Sequence, residues 1–272
     1  MPEIKRRNGY YLNDDIHYPS VSTVMKSAGS PAGLIDWAAV QGGHGVLWAL
    51  AKIGDTEKLK EKLSLSSCVE WASDVAKQGL EASSERVTSF GSRVHYLIED
   101  YLRQRDTYVK DVTEEENKAL ITFKTFWEEV QPHSEAIEEE VISHTHRYAG
   151  RADAVIKIDD SQANVINTYL KRTSEKVQPG LIMTDYKTGR LYPKSLKVQL
   201  SAYAKAYEEG NKKEINGGLV IGIDRDDRSK LKCVFFSKEV LASAFEQGFL
   251  TAYQAWHYWD APLWWKKQWE DK

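Results

Sequence analysis

Cysteine is almost missing from this 272-residue chain, which has only Cys68 and Cys233, far apart and in no ligand spacing. That excludes a four-cysteine zinc site or iron–sulfur cluster and gives no disulfide framework, so a reducing, cytoplasmic compartment is expected. Long apolar runs are also lacking: none approaches the roughly 20 residues that span a bilayer. Met1 to Gly9 is polar, without the apolar segment of a signal peptide. A soluble, intracellular protein with no membrane contact is therefore expected. An excess of positive charge is absent too, with 37 Lys and Arg against 40 Asp and Glu and a formal net charge of -3. Any contact with phosphates must come from local clusters, such as Lys171, Arg172 and Lys176, or Lys187, Arg190, Lys194 and Lys197, or Arg225 and Arg228. There is no internal repeat and no low-complexity tract.

With 42% hydrophobic residues the chain can bury a substantial core. The pattern divides it at about residue 85. Residues 1–85 read as a short ribbon, Tyr10 to Tyr18, followed by a helical cap whose apolar positions include Trp37, Val46, Leu50, Leu59, Leu63, Val69 and Trp71. Pro19-Ser20 can open its first helix. Residues 86–272 read as the catalytic core. Val94, Leu97, Ile98, Tyr101 and Leu102 recur at helical spacing between Arg86 and Arg105, and His95 and Glu99 fall together at the edge of that stripe. Thr113-Glu114-Glu115-Glu116 is a capping box for a helix that stops before Pro132. Strands are expected at Ala136 to His144, Tyr148 to Ile158, Leu181 to Lys187, Gly218 to Ile223 and Leu231 to Phe236, with helices at Ser195 to Glu209 and Lys238 to Trp259. The polar segment from Asp159 to Gly180 reads as an insertion. The result is a mixed α/β core.

Chemistry concentrates at Asp185-Tyr186-Lys187, the end of an apolar strand, where alternation puts Asp185 and Lys187 on one face. Taken alone, such a pair is ordinarily an exposed salt bridge worth little. Asp153, on the expected neighbouring strand, changes its meaning: two carboxylates can converge on one hard divalent cation if their strands pair. Phosphodiester hydrolysis needs an activated water, charge neutralisation and a stabilised leaving oxygen, which divalent cations supply. Lys187 can orient or deprotonate the water, or offset transition-state charge. His95 can add a nitrogen ligand, which favours manganese, and Glu99 can bind a second ion or hold its water. Gln199 is a lone polar group on the apolar face made by Leu196, Leu200, Tyr203 and Tyr207, so its amide is expected to reach the catalytic strand.

These residues resemble the PD-(D/E)XK nuclease superfamily, in particular its RecB-like branch that includes the mitochondrial genome maintenance exonucleases. The resemblance rests on Gly91-x-x-x-His95-x-x-x-Glu99, Gly150-x-x-Asp153, Asp185-Tyr186-Lys187, Gln199-x-x-x-Tyr203 and the early Pro19-Ser20-Val21-Ser22. It implies a restriction-endonuclease-like core, with a mixed central sheet flanked by helices, and a helical N-terminal cap. It further implies that Asp153, Asp185 and His95 are metal ligands, that the Tyr186 backbone carbonyl completes the ion's shell, and that Lys187 is the catalytic lysine. Gln199 and Tyr203 would support the site or the DNA. Ala152 stands where the superfamily name has proline, as is common in the RecB-like branch, and the cysteines of the iron–sulfur members are missing. The expected activity is a Mg2+- or Mn2+-dependent exonuclease, with one or two ions, acting on DNA with a free end and single-stranded character. Repair, recombination or phage DNA metabolism is the expected setting, with a single-strand-binding or recombination protein as a partner. Alternatives on the same core are a structure-specific or restriction-type endonuclease and a non-catalytic DNA-binding subunit.

Other features read more plainly. Arg151, Lys194 and Lys197 are ordinary surface charges close enough to the motifs to meet phosphates. Glu138-Glu139-Glu140 is a charge run that can bring Glu140 near the metals, but such runs are usually solvated. His144 and His146 read as surface residues near a turn. Trp256, Trp259, Trp264, Trp265 and Trp269 read as packing of a terminal helix, or as a stacking platform for bases.

Overall fold

The computed structural model describes residues 5–7, 9–26, 65–105, 111–172, 174–224 and 226–269, with isolated positions between 42 and 52. Trp37, Leu59, Leu63 and Arg225 lie outside the described residues. The chain forms two compact units, one of residues 1–29 and 94–272 and the other of Ser30–Arg93. The division falls inside the helix α2 (Leu65–Leu102), beyond the sequence-based boundary at residue 85. In the smaller unit a side chain at Gly45 would lie 2.9 Å from the Val75 carbonyl, so glycine permits that close approach.

The N-terminal ribbon belongs with the larger unit, not with the cap. Its strands β1 (Lys5–Arg7), β2 (Tyr10–Asn13) and β3 (Ile16–Pro19) form an antiparallel sheet, and Tyr11 and Tyr18 bury themselves with Ala149. Helix α1 (Val21–Lys26) follows, its first turn held by Ser20, whose hydroxyl accepts the Thr23 N–H at 3.1 Å. Val21 and Val24 enter the main core.

That core is built on a mixed sheet of order β4-β5-β6-β7-β8. The strands are β4 (His133–Ser143), β5 (Tyr148–Ile158), β6 (Gly180–Lys187), β7 (Gly217–Ile223) and β8 (Leu231–Ser237). Only the β6–β7 pair is parallel. A parallel pair needs a crossover, and α5 (Pro193–Asn211), with proline in its first turn, supplies it. Helix α3 (Glu114–Val130) starts at the expected capping box, with Thr113 and Glu116 each capping the other. It packs Phe123 edge-on against Tyr186 at 5.0 Å. The segment expected to be a polar insertion contains a further helix, α4 (Asp160–Thr168), opened by a second capping box from Asp159 and Gln162. Its nine residues carry too little apolar periodicity to stand out, and only Ala163 and Ile166 are buried. After β8 the chain runs as helix from Lys238 to Asp260, with π-helical turns at Phe245–Phe249 and Trp256–Asp260. Among the described residues no helix is long and apolar enough to cross a membrane.

One contact couples α5 to β5. A side-chain carbon at Gly150 would sit 2.4 Å from the Tyr203 ring, so the glycine of Gly150-x-x-Asp153 is what lets α5 approach. Gly150→Ala is expected to cost about 1–3 kcal/mol, as overpacking does. A lower urea midpoint at unchanged slope checks this; Tyr203→Ala should restore most of the loss specific to Gly150→Ala.

Candidate functional site

The expected strand pairing is present, and it does more than join two aspartates. Strands β5 and β6 are antiparallel, with Ala154 opposite Thr184, so the next step along the ladder brings Asp153 opposite Asp185. On the other side of β5, Glu138 stands between the pairs Ile137–Ala154 and Glu139–Ala152, opposite Asp153. Glu138, Asp153 and Asp185 thus form a row across neighbouring strands, which lie about 4.8 Å apart. Like charges facing each other across a sheet are destabilising. Each member of the row is therefore met by something positive or by a donor.

Asp185 is 2% exposed. Lys187, on the same face of β6, donates to Asp185 Oδ1 at 2.7 Å and lies 2.6 Å from Oδ2. The second contact is ionic without hydrogen-bond geometry, and Oδ2 has no hydrogen-bond donor among the described residues. Burial raises the Asp185 pKa, Lys187 pulls it down, and the charge of Asp153 adds to the rise. For Lys187, burial works against the charge, but Asp185 and Asp153 outweigh it and its pKa is raised. The lysine is thus held as an ammonium.

Asp153 Oδ2 accepts the Tyr186 N–H at 2.7 Å and lies 3.6 Å from His95 Nδ1. The other ring nitrogen, Nε2, is 2.9 Å from the Tyr186 carbonyl oxygen. A carbonyl only accepts, so Nε2 carries the hydrogen and Nδ1 is the nitrogen left to meet a cation. A histidine ligand anchored through its second nitrogen is the usual arrangement at metal sites. The Tyr186 carbonyl is used here as that anchor.

Glu138 completes a group that sequence reasoning missed. Ligand atoms of His95, Glu138 and Asp153 all lie within 4.8 Å of one another. Burial, followed by the charge of Asp153, pushes the Glu138 pKa up to about 7, against the pull of Arg151 and His95. Glu140, the member of the acidic run expected near the metals, is exposed and pairs with Arg151 in the register. The hairpin carried the missing signal: counting back from the Ser143–Tyr148 pair puts position 138, not 140, beside Asp153.

Glu99, one helical turn after His95, is engaged by arginines. It is held by Arg103 at 3.0 Å, Arg105 at 2.7 Å and Arg151 at 3.5 Å, and does not join the converging group. Arg151 in turn contacts Glu138 at 2.7 Å, so it bridges the helix-borne and strand-borne carboxylates and is no free surface charge. Gln199 donates to the Tyr203 hydroxyl at 3.1 Å and not to β6. The spacing explains this: residues four apart on a helix are neighbours. Tyr203 is buried, and the charges of Asp185 and Asp153 add to burial in raising its pKa. Lys194, exposed, lies on the first turn of α5, and Lys197, half-buried, starts the second. Arg228 ties down the loop after β6, donating to the Thr188 carbonyl at 2.6 Å. His144 bonds the Tyr18 hydroxyl at 2.9 Å, and His146 packs on Phe245.

No family model and no curated protein matches the chain. Among solved structures it is similar to one described as "Crystal structure of SSO0001", with 16% identity and a TM-score of 0.26, over 59% of this chain and 70% of that one. A likeness at that level carries no argument.

Two outcomes follow from the geometry. Lys187→Met leaves a buried carboxylate without its counter-charge and should cost about 3–5 kcal/mol; Asp185→Asn in the same chain should recover most of it in urea unfolding. The second outcome concerns pH in metal-free buffer. Glu138 has a folded pKa of about 7 against an ordinary 4.5, so the folded state binds the extra proton between those values. Its contribution to stability is present below the ordinary value and is lost as pH rises through about 7. Glu138→Gln should flatten that decline in a series of melts at fixed ionic strength.

Proposed function

We propose that the chain is a divalent-metal-dependent deoxyribonuclease with a restriction-endonuclease-like core, of the PD-(D/E)XK type. The observation that carries this reading is the carboxylate row Glu138–Asp153–Asp185 ending beside Lys187. The residues fit a metal on their own chemistry. Hard oxygen donors from Glu138 and Asp153 and one imidazole nitrogen from His95 converge. Asp153, Glu138 and His95 would hold the ion, with Asp185 beside them. When bound, magnesium or manganese there supplies charge neutralisation on the scissile phosphate and a more acidic water.

The protein's own groups account for the rest. Lys187 is held charged by its two aspartate neighbours, so it acts as a donor that offsets negative charge growing on the phosphoryl oxygens, and not as a base. Asp153 is fixed by the Tyr186 N–H, and His95 by the Tyr186 carbonyl, so one peptide segment of β6 orients both. Arg151 holds Glu138 in position. Lys194 and Lys197, at the start of the helix that follows β6, are placed to meet the backbone of a nucleic acid. The motif order supports an exonuclease acting on DNA ends in repair, recombination or phage DNA metabolism, in a soluble intracellular setting.

The test uses purified protein with linear and circular, single- and double-stranded DNA, in magnesium, manganese or chelator. Linear substrates should be degraded with either ion and not in chelator, and Lys187→Ala should remove cleavage while DNA still binds. Circles cut as fast as linear DNA would overturn end dependence. No cleavage with either ion, under conditions where DNA binds, would overturn the enzyme reading. Manganese should also raise the melting temperature of the wild type but not of Asp153→Asn, with about 2.7 kcal/mol gained at a hundredfold excess over Kd.

A further inference from the structure

Of the three residues whose ligand atoms converge, Glu138 alone has a positive φ, at 51°. A residue with a side chain keeps that conformation only where its surroundings enforce it. Glu138 also falls between two rungs of the β4–β5 ladder, on a strand at the edge of its sheet, where the outward carbonyls have no neighbouring strand to bond. Its own strand therefore does little to fix it.

Two arginines hold it from outside. Arg103, just past the end of α2, donates to the Ile137 carbonyl at 2.5 Å, the peptide that leads into Glu138. Arg151, on β5, lies 2.7 Å from the Glu138 carboxylate. One guanidinium thus holds the backbone and the other the side chain. Both meet at Glu99: Arg103 donates to Oε1 at 3.0 Å and Arg151 lies 3.5 Å from Oε2, while Arg105 donates to Oε1 at 2.7 Å. The three arginine side chains are 37–44% exposed, whereas Glu99 is 11% exposed. A guanidinium that open to water is screened and free to turn away, so a lone arginine pair would hold Glu138 weakly. A shared carboxylate beneath them fixes the planar forks.

We propose that Glu99 is a positioning residue: through Arg103 and Arg151 it sets the backbone and the carboxylate of Glu138, and so the affinity of the His95–Glu138–Asp153 group for a divalent cation, an assignment that rests on the metal-dependent reading above. Helix α2 then serves the group twice, giving His95 directly and, one turn later, acting on Glu138 through the arginines. Glu99 needs no contact with the ion. Both of its oxygens face guanidiniums, so ligating a second ion would require it to shed them. Groups that orient a ligand in this way tune metal affinity without touching the metal.

The experiment uses the full chain as wild type, Glu99→Gln, Arg103→Lys, Glu138→Gln and the double variant Glu99→Gln/Glu138→Gln. Manganese binding is measured by calorimetry without DNA, and stability by urea unfolding in chelator. Glu99→Gln and Arg103→Lys should each weaken manganese about 10–100-fold with the number of bound ions unchanged. Cleavage by Glu99→Gln should return at saturating manganese, which a merely structural defect would not allow. In the Glu138→Gln background, Glu99→Gln should weaken manganese no further, as when one residue acts through another. Unchanged affinity in Glu99→Gln would overturn the assignment, as would an equal loss with and without Glu138. Loss of one bound ion would overturn it too, because Glu99 would then be a ligand. Should Glu99→Gln fail to fold, Arg103→Lys, which keeps the charge and loses the fork, decides on the same outcomes. A wild type that binds no manganese overturns the metal reading instead. The link itself is then judged in chelator: the unfolding constants of Glu99→Gln and Glu138→Gln should depart from multiplicative by about twofold or more, and strict additivity of their free energies would overturn it.

Discussion

A carboxylate buried at the end of a central strand is the constraint around which the larger unit is organised. Asp185 cannot lose its solvation without compensation, and in its row it also faces the negative charge of Asp153. Each acid in the row is compensated by different means: a lysine two residues along for Asp185, a backbone N–H for Asp153, and a guanidinium for Glu138. The arrangement is nearly neutralised but strained toward protonation, as the raised pKa values of Asp185 and Glu138 record.

The surrounding structure follows from that constraint. Tyr186 has its ring packed on Phe123, while its peptide N–H and carbonyl hold Asp153 and His95. The same residue therefore ties the core to the polar row. On helix α5, Tyr203 needs the missing side chain of Gly150 in order to approach, and Gln199 satisfies the Tyr203 hydroxyl. Further out, Glu99 gathers Arg103, Arg105 and Arg151, so that the arginine holding Glu138 is itself oriented.

Much of this was legible in the sequence because it depends on local rules. Alternation put Asp185 and Lys187 on one face, the capping box fixed the start of α3, and helical spacing put His95 at the edge of the apolar stripe of its helix. What the sequence concealed depends on register and on competition between partners. Glu138 was hidden within an acidic run, because only the hairpin count separates it from Glu140. The partners of Glu99 were not readable from spacing, since the three arginines that meet it are dispersed between residues 103 and 151. Helix α4 escaped notice because polar residues dominate its short span. The C-terminal tryptophans divide in a way no spacing revealed: Trp256 and Trp265 are core, while Trp259 is 78% exposed.

The irregular backbone of β4 has a second consequence. The strand lies at an edge of its sheet, its ladder shifts between Ser134 and Ala136, and Glu138 adopts a left-handed conformation at φ 51°. An edge strand with an unbroken row of free N–H and C=O groups invites other chains to add to it. Here the row is interrupted twice within a few residues, and the second interruption is the residue that meets Asp153. The left-handed residue that completes the acidic row therefore also interrupts the edge of the sheet, so edge geometry and site geometry are set at one backbone position.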